Sequence, residues 1–246
     1  EPGLEVVYQP IYSTASLQIV GAEALLRWNH PSQGWMAPNL FIGLAEERGL
    51  IDQLGLWVLR QACGYAAHAA VPWVAVNVSP MQFRDERFPQ HVMSILQETG
   101  LDPSRLELEI TETVLLQNSP RVQEILRQLR AEGIRVALDD FGTGYSSISY
   151  LRTHGVDKLK IDQSFVAQMQ EDRDIGSIVQ SIIDLARAMR MTVTAEGVET
   201  KEQQAMLHSM GCDELQGYLL SRPIPPQSVD HLLLQQSFPG LAQNGA

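Results

Sequence analysis

The sequence predicts an α/β fold of the TIM-like (β/α)8 barrel type, and three observations point to it. Short apolar runs alternate with longer amphipathic segments along almost the whole chain. Eight such runs fit within 246 residues, a length that can bury one large core. Polar and ionisable residues recur at or near the ends of these runs, on a common face. A doubly wound open sheet satisfies the first two observations and is the main alternative.

The strand-like runs are residues 6–12, 19–28, 73–79, 106–111, 134–139, 158–162, 192–197 and 215–219. Helix-length segments lie between most of them, at 38–69, 87–99, 119–131, 173–190 and 201–210. The first two runs are joined by a turn around 13–17, too short for a crossover helix. One strand near the N-terminus is therefore expected to be antiparallel. Residues 223–246 open with a helical pattern after Pro225-Pro226, and their Gly- and Gln-containing end is expected to fray. No linker or short repeat divides the chain, so 1–246 reads as a single domain. Because it begins at Glu1, the expectation is a piece of a longer protein whose other parts carry sensors or an anchor.

Composition narrows the function classes. No stretch approaches the roughly 18 uninterrupted apolar residues of a membrane span, and the start lacks a signal-peptide pattern. Cys63 and Cys212 are far apart in sequence and fit no metal-binding spacing. Reduced thiols and a cytoplasmic setting are expected, with no membrane contact by this domain. A net charge of −11 argues against a polymeric nucleic-acid partner, which needs clustered Lys and Arg. It leaves room for a small phosphate ligand held through divalent cations.

Period-two alternation separates the inner face of each strand from its helix-facing side. In 106–110, Glu107 and Glu109 oppose Leu106, Leu108 and Ile110. In 73–79, Trp73, Ala75 and Asn77 oppose Val74, Val76 and Val78. Lys158, Lys160 and Asp162 oppose Leu159 and Ile161; Thr192, Thr194 and Glu196 oppose Val193 and Ala195; and Glu23, Leu25 and Arg27 share a face. The C-terminal rim of such a barrel is where active sites assemble. The residues predicted to meet there are Gln9, Glu23, Arg27, Asn77, Glu109, Asp139, Asp140, Lys160, Glu196 and Gln216.

Five carboxylates in one mouth repel unless protonated or bound to cations. Carboxylates with an amide form an all-oxygen set that selects Mg²⁺ or Mn²⁺ over zinc, and adjacent aspartates can serve two ions. Each residue also has a plainer reading. A Glu at a strand end is usually solvated rim, Asp139-Asp140 is a possible turn and cap, and Lys160 a possible salt-bridge partner. The six histidines show no ligand spacing. The plain readings lose force together, because so many strands place a competent group at the same end. Gly142-Thr143-Gly144 is not a Walker sequence and reads better as a mobile loop beside the aspartates.

At these residues the sequence resembles the EAL family of cyclic di-GMP phosphodiesterases. The tripeptide Glu23-Ala24-Leu25 stands within Glu23-x-Leu25-x-Arg27. Around it, in order, come Tyr8-Gln9-Pro10-Ile11, Asn77-Val78-Ser79, Glu109-Ile110-Thr111-Glu112 and Asp139-Asp140-Phe141-Gly142-Thr143-Gly144. Lys160-Ile161-Asp162, Glu196-Gly197-Val198-Glu199 and Gln216-Gly217-Tyr218 complete the series. The resemblance implies hydrolysis of cyclic di-GMP to linear 5′-pGpG by two Mg²⁺ or Mn²⁺ ions, with Ca²⁺ inhibitory. It implies that Glu23, Asn77, Glu109 and Asp139 hold one metal, and that Asp139, Asp140 and Glu196 hold the second. Lys160 would hold the attacking water or stabilise charge, with Glu196 the rival base. Glu112 would anchor the loop that begins at Asp140. Leu25 and Arg27 would contact substrate, with Gln9 and Gln216 supporting the pocket. A homodimer formed through helices beside the active-site loop is also implied. Many members are inactive receptors of cyclic di-GMP, which is the alternative reading; no position named here departs from the family pattern.

Overall fold

In a computed structural model of the chain, residues 3–116, 119–142, 151 and 155–237 are described. Nine strands alternate with helices: β1 (Leu4–Ser13), β2 (Ile19–His30), β3 (Gly34–Met36), β4 (Val74–Asn77), β5 (Leu106–Thr111), β6 (Arg135–Phe141), β7 (Lys158–Ile161), β8 (Thr192–Ala195) and β9 (Glu214–Leu215). Their hydrogen-bonded order is β1-β9-β8-β7-β6-β5-β4-β2-β3, and a further β1–β2 pairing closes eight of them into a barrel. β1 runs antiparallel to both of its neighbours, while β2 and β4 through β9 pair in parallel. The expected barrel and its single antiparallel strand are both present.

All eight expected runs are strands, although the last is shorter than expected, with Glu214–Leu215 in place of 215–219. The ninth strand, β3, is an addition. It pairs with the far end of β2, Trp28 opposite Met36, beyond where β4 leaves off. The long amphipathic segment at 38–69 is two helices, α1 (Pro38–Glu47) and α2 (Ile51–His68). Gly49 breaks them with φ of +68°, a conformation that costs glycine little. The other expected helices are α3 (Phe88–Thr99), α5 (Pro120–Ala131), α7 (Arg173–Met189) and α8 (Lys201–Met210), with α9 (Pro226–Ser237) at the end. Two short helices follow strands directly: α4 (Glu112–Leu116) after β5 and α6 (Gln163–Gln168) after β7.

Caps explain where the helices start. Asp172 accepts from the backbone N–H groups of Asp174 and Ile175, and Ser119 caps α5 just before Pro120. Thr200 and Gln203 form a reciprocal capping box on α8. Val179, Ile182, Ile183 and Ala186 recur at helical spacing on α7 and are buried against the barrel.

The barrel wall is buried on both sides. Leu106, Leu108 and Ile110 enter the large apolar core between strands and helices, whereas Glu107 and Glu109 point into the barrel, each about 1% exposed. A charge buried that deeply persists only when paired, so the interior strands impose ion pairs on the fold. A small apolar layer of Ile11, Trp73 and Ala75 completes the interior packing. Cys63 and Cys212 are both free and buried. No described helix is long and apolar enough to cross a membrane. The expected fraying of the C-terminal end falls on 238–246, which lie outside the described residues.

Candidate active site

Strand register assembles the mouth. Asn77 pairs across to Glu109 and Thr111 to Asp139 in parallel ladders, while Gln9 faces Glu23 in the antiparallel pair. Glu196 follows β8 directly, and its N–H donates to the Ile161 carbonyl. Gln216 follows β9 and donates its N–H to the Ala195 carbonyl. Each of these strands thus brings a polar side chain to the same rim, near, at or just past the end of β4, β5, β6, β8 and β9 and midway along β1 and β2.

Two adjacent strand residues should point to opposite faces, yet Asp139 and Asp140 both serve the mouth. A bulge makes this possible. On β6, Leu138 pairs with Leu159 and Phe141 with Ile161, so two aspartates stand against Lys160 alone. Asp140 accommodates the bulge with φ of +55°, in the left-handed region that Asp tolerates better than most residues. Asp139, Asp140 and Glu196 each offer an oxygen within 4.8 Å of the others.

Lys160 is the hub. Its ammonium lies 2.5 Å from Glu196 Oε1, 2.8 Å from Glu109 Oε2, 3.2 Å from Asp139 Oδ1 and 3.7 Å from Glu23 Oε2. Glu23 also accepts from Asn77 Nδ2 at 2.6 Å and from Gln216 Nε2 at 2.7 Å. Gln216 reaches Gln9 Oε1 at 3.2 Å, and Gln9 donates to the Ser221 carbonyl.

Burial and mutual repulsion set the protonation. Burial, then the charges of Glu23, Asp139 and Glu196, push the Glu109 carboxyl well above the ordinary range despite Lys160. Burial pushes Glu196 up to about 8, against the pull of Lys160 and with added repulsion from Asp139 and Glu23. Asp140 is raised by burial and by Asp139 and Asp162. Burial also pushes Glu23 upward, but Lys160 and the Gln216 and Asn77 hydrogen bonds outweigh it and hold it below the ordinary value. For Lys160, burial disfavours the charge, yet Asp139, Glu109, Glu196 and Glu23 more than reverse this and keep it protonated.

Among the described residues, one ammonium against five carboxylates leaves a formal excess of four negative charges when all are ionised. Glu109 Oε1, Asp139 Oδ1 and Gln216 Oε1 are buried with no hydrogen-bond donor; Asp139 Oδ1 lies near Lys160 but is not aligned as a hydrogen bond. Hard oxygen donors lacking a proton partner, around excess negative charge, fit hard divalent cations. Asp139, Asp140 and Glu196 form the candidate acidic cluster.

The mouth itself is a cavity of about 270 Å³ that takes in Gln9, Glu23, Leu25, Asn77, Asp139, Glu196 and Gln216. Sequence reasoning missed Gln163, Glu199 and Tyr218, which also line it. Glu199 and Tyr218 lie inside motifs already quoted, whereas Gln163 opens α6 and left no pattern. Gly217 is required here: a Cβ on it would sit 2.1 Å from the Val198 carbonyl oxygen. Its bareness lets the β9 end pack against the segment after Glu196. Arg27 was expected at the mouth but does not line it. β2 runs on past the rim, Arg27 sits opposite Glu5, and its guanidinium donates to the Leu26 carbonyl. Glu112 is buried outside the cluster and accepts from the Gly142 N–H at 3.1 Å. The rest of the expected loop, from Thr143 to Ser146, lies outside the described residues.

A second interior cluster was not gathered from the sequence. Lys158 pairs with Glu107 and Glu214 at 2.8 Å each and lies 3.8 Å from the centre of the Trp73 ring. Arg135 lies 3.8 Å from Glu107 and covers the same ring.

The EAL domain profile matches residues 1–223. An uncharacterized signaling protein of Caulobacter vibrioides is 48% identical over 227 residues, covering 92% of this chain and 28% of that protein. The bifunctional diguanylate cyclase/cyclic di-GMP phosphodiesterase MucR of Pseudomonas aeruginosa is 42% identical over 229 residues, covering 90% of this chain and 33% of that protein. This chain therefore spans about a third or less of the length of these relatives. Among solved structures, the PaMucR phosphodiesterase in complex with c-di-GMP superposes with a TM-score of 0.88 at 40% identity, over 92% of this chain and 94% of that one.

Proposed function

The chain belongs to the EAL domain family, and from that premise we propose that it hydrolyses cyclic di-GMP to linear 5′-pGpG with two divalent cations, Mg²⁺ or Mn²⁺. The observation that carries this reading is the charge imbalance at the mouth: four carboxylates around one buried ammonium, a fifth, Asp140, beside them, and acceptor oxygens left without donors. Glu23, Asn77, Glu109 and Asp139 are proposed to hold one ion, and Asp139, Asp140 and Glu196 the other. Bound ions would supply Lewis acidity at the phosphate and ease ionisation of the attacking water.

The chain's own groups do the rest. Water attacks phosphorus in line, the P–O3′ bond breaks, and the 3′-oxygen leaves with a proton. Lys160, fixed by its carboxylate neighbours, holds the water or stabilises charge developing at phosphorus. Glu196, whose carboxyl burial pushes up to about 8 in the metal-free site, is the proposed acceptor of the water's proton once ionised. Leu25, Gln9 and Gln216 shape the substrate side of the mouth, and Arg27 would have to swing from the Leu26 carbonyl to reach a phosphate. Glu112 holds the backbone just after Asp140. The linked parts of a longer polypeptide are proposed to supply the sensory input, and the setting is proposed to be cytoplasmic.

The test is turnover. Incubating the protein with cyclic di-GMP and Mg²⁺ or Mn²⁺ should release 5′-pGpG, resolved by chromatography. Chelator should abolish release, and Ca²⁺ should inhibit it, because its longer, looser coordination misplaces the reacting groups. Hydrolysis in chelator would sink the metal mechanism; tight binding with no product would make the chain a receptor.

A further inference from the structure

β2 does not stop at the rim of the barrel. β4 pairs with it only as far as Ala24, whereas β2 runs on to His30 and there pairs with β3, Trp28 opposite Met36 and Asn29 opposite Trp35. The β2–β3 hairpin therefore stands past the C-terminal rim, above the mouth. Directly opposed residues of an antiparallel pair share a face, so the two faces of the hairpin can be told apart. One face holds Leu26, Trp28 and Met36, which pack into the apolar core. Trp28 also meets the Phe41 ring edge-on, with ring centres 5.6 Å apart, and so pins the hairpin to α1. The other face carries Glu23 and Leu25 into the cavity and continues through Arg27 and Asn29 to Trp35.

Trp35 is 64% exposed and makes no ring or cation contact among the described residues. A lone exposed apolar side chain needs no explanation by itself. This one is an indole on the substrate side of a hairpin whose opposite side is anchored, which is the form of a stacking platform for a nucleobase. Arg27 strengthens the reading. It lies two residues before Asn29 on the same face and is thus the diagonal neighbour of Trp35. Released from the Leu26 carbonyl, its guanidinium would stand beside the indole as the phosphate of a nucleotide stands beside its base. From Leu25, which lines the cavity, to Asn29 is four residues, roughly 13 Å of strand. The platform therefore lies outside the carboxylate cavity, where one base of a two-base substrate has room while a phosphate sits at the carboxylates.

We propose that Trp35 is a stacking subsite for one guanine of the substrate, acting with Arg27 on the adjoining phosphate. The proposal rests on the hydrolase reading and adds to it a substrate-binding residue that lies outside both the cavity and the sequence motifs of the site.

Steady-state turnover of cyclic di-GMP in Mg²⁺ tests it. Trp35→Ala should raise KM by about tenfold or more, the scale of one lost base stack, with kcat little changed because the carboxylates and Lys160 are untouched. Trp35→Phe, which keeps an aromatic face, should recover most of the loss. Leu40→Ala, which removes an equally exposed apolar side chain of α1 that does not line the mouth, should leave both parameters at the parent's values. Circular dichroism verifies that each variant is folded. Binding gives a second readout. Of the four tryptophans, Trp35 alone is mostly exposed, so cyclic di-GMP titrated in Ca²⁺ should quench the tryptophan emission of the parent and not that of Trp35→Phe. A Trp35→Ala protein with the parent's KM overturns the subsite and leaves the hydrolase standing. So does a fall in kcat at unchanged KM, or a parent emission that saturating cyclic di-GMP does not move. A parent that neither binds nor hydrolyses cyclic di-GMP overturns the subsite and the hydrolase reading together.

Discussion

Two layers of charge lie inside the barrel, two residues apart on the same strands. Glu107 and Glu109 share β5, and Lys158 and Lys160 share β7, so the layers are separated by roughly 6.6 Å of strand. Their environments are alike in burial: all four side chains are at most about 2% exposed. Their charge balance is not. In the lower layer, Lys158 and Arg135 meet Glu107 and Glu214, two cations against two anions, with Thr194 donating to Glu214 and Trp73 beneath the cations. In the upper layer, Lys160 is the one cation among the described residues that meets Glu23, Glu109, Asp139 and Glu196. A neutral set, closed in charge although Glu107 Oε2 and Arg135 Nε and Nη2 are buried without hydrogen-bond partners, contributes to folding and offers no excess negative charge to a cation. An open, unbalanced set strains the metal-free fold and is available for chemistry. Identical residue types thus take opposite roles according to whether their partners cancel them.

The largest expected effects separate the layers by what each loses. Glu23→Ala should cut turnover of cyclic di-GMP by about a thousandfold or more, the scale of losing a group that organises transition-state charge. Its melting temperature should fall less than that of Glu107→Ala, because relief of repulsion among the remaining carboxylates offsets part of the lost Asn77 and Gln216 hydrogen bonds. Glu107→Ala leaves Lys158 with one partner fewer in a buried site and should cost about 3–5 kcal/mol of stability, read from denaturant unfolding. Any Glu107→Ala protein that remains folded should keep a near-normal specific activity. An inactive, fully stable Glu107→Ala protein would erase the distinction.

The two lysines sharpen it further. Lys158→Met should destabilise the protein whether or not metal is present, because Glu107 and Glu214 lose their shared cation in a closed layer. Lys160→Met should also destabilise the metal-free protein, since four carboxylates then face one another unpaired. Millimolar Mg²⁺ should recover most of that loss by binding the folded state. Thermal unfolding of both variants, with and without Mg²⁺, checks this; equal metal rescue of the two would show that the lower layer is not closed.

How much of this was legible beforehand differs between the same two regions. The barrel strands followed from the apolar runs and Glu23, Asn77, Glu109, Lys160 and Glu196 of the rim set from period-two alternation, because a glutamate between leucines in such a run has few other meanings. Glu107 was seen to face inward, yet its role needed the register that brings Lys158 and Glu214 to it from other strands, and register is not written in one strand. The bulge at Asp139-Asp140 was equally hidden: alternation would send the second aspartate away from the mouth, and only the pairing of Phe141 with Ile161 returns it. β3 was missed because a three-residue strand has no period to detect. For Arg27, alternation gives the face but not where the barrel rim falls along β2.

A smaller, pH-dependent effect follows from the upper layer. Glu196 is raised to about 8, with Glu109 and Asp140 raised in the same direction. Between the ordinary carboxyl range and pH 8, the unfolded chain has released the Glu196 proton while the folded, metal-free chain retains it. The folded state binds more protons, so its stability falls as pH rises through about 8. Divalent ions require the ionised carboxylates and so gain affinity over the same window. The rise in melting temperature produced by Mg²⁺ should therefore be several degrees larger at pH 8.5 than at pH 6.5. A constant increment at both values would mean that these carboxyls are already ionised. Glu23, held low, acts in the opposite sense: its contribution is lost only as acid approaches its depressed value.

The smallest effect tests the boundary of the upper layer. Glu112 takes no part in the Lys160 cluster; it accepts from the Gly142 N–H, two residues past Asp140. Asp140 sits in a left-handed bulge that holds its shape only if the backbone on both sides is fixed. Upstream, the strand ladder fixes it; downstream, Glu112 does. Losing that hydrogen bond should leave the lower layer and Glu23, Glu109 and Lys160 untouched while letting Asp140 sample positions away from Asp139 and Glu196. Only part of the population would then present the three-carboxylate cluster, and the apparent metal affinity would fall by that fraction. Glu112→Ala is therefore expected to need about tenfold more Mg²⁺ for half-maximal turnover, with much of the maximal rate recovered at saturating metal. Glu112→Gln, which still presents an acceptor oxygen to Gly142, should fall between that variant and the parent. Lys160→Ala should show no such recovery, since added metal does not replace an ammonium that holds water or stabilises charge. If Glu112→Ala and Lys160→Ala respond to Mg²⁺ alike, Glu112 belongs inside the reacting cluster and not at its edge.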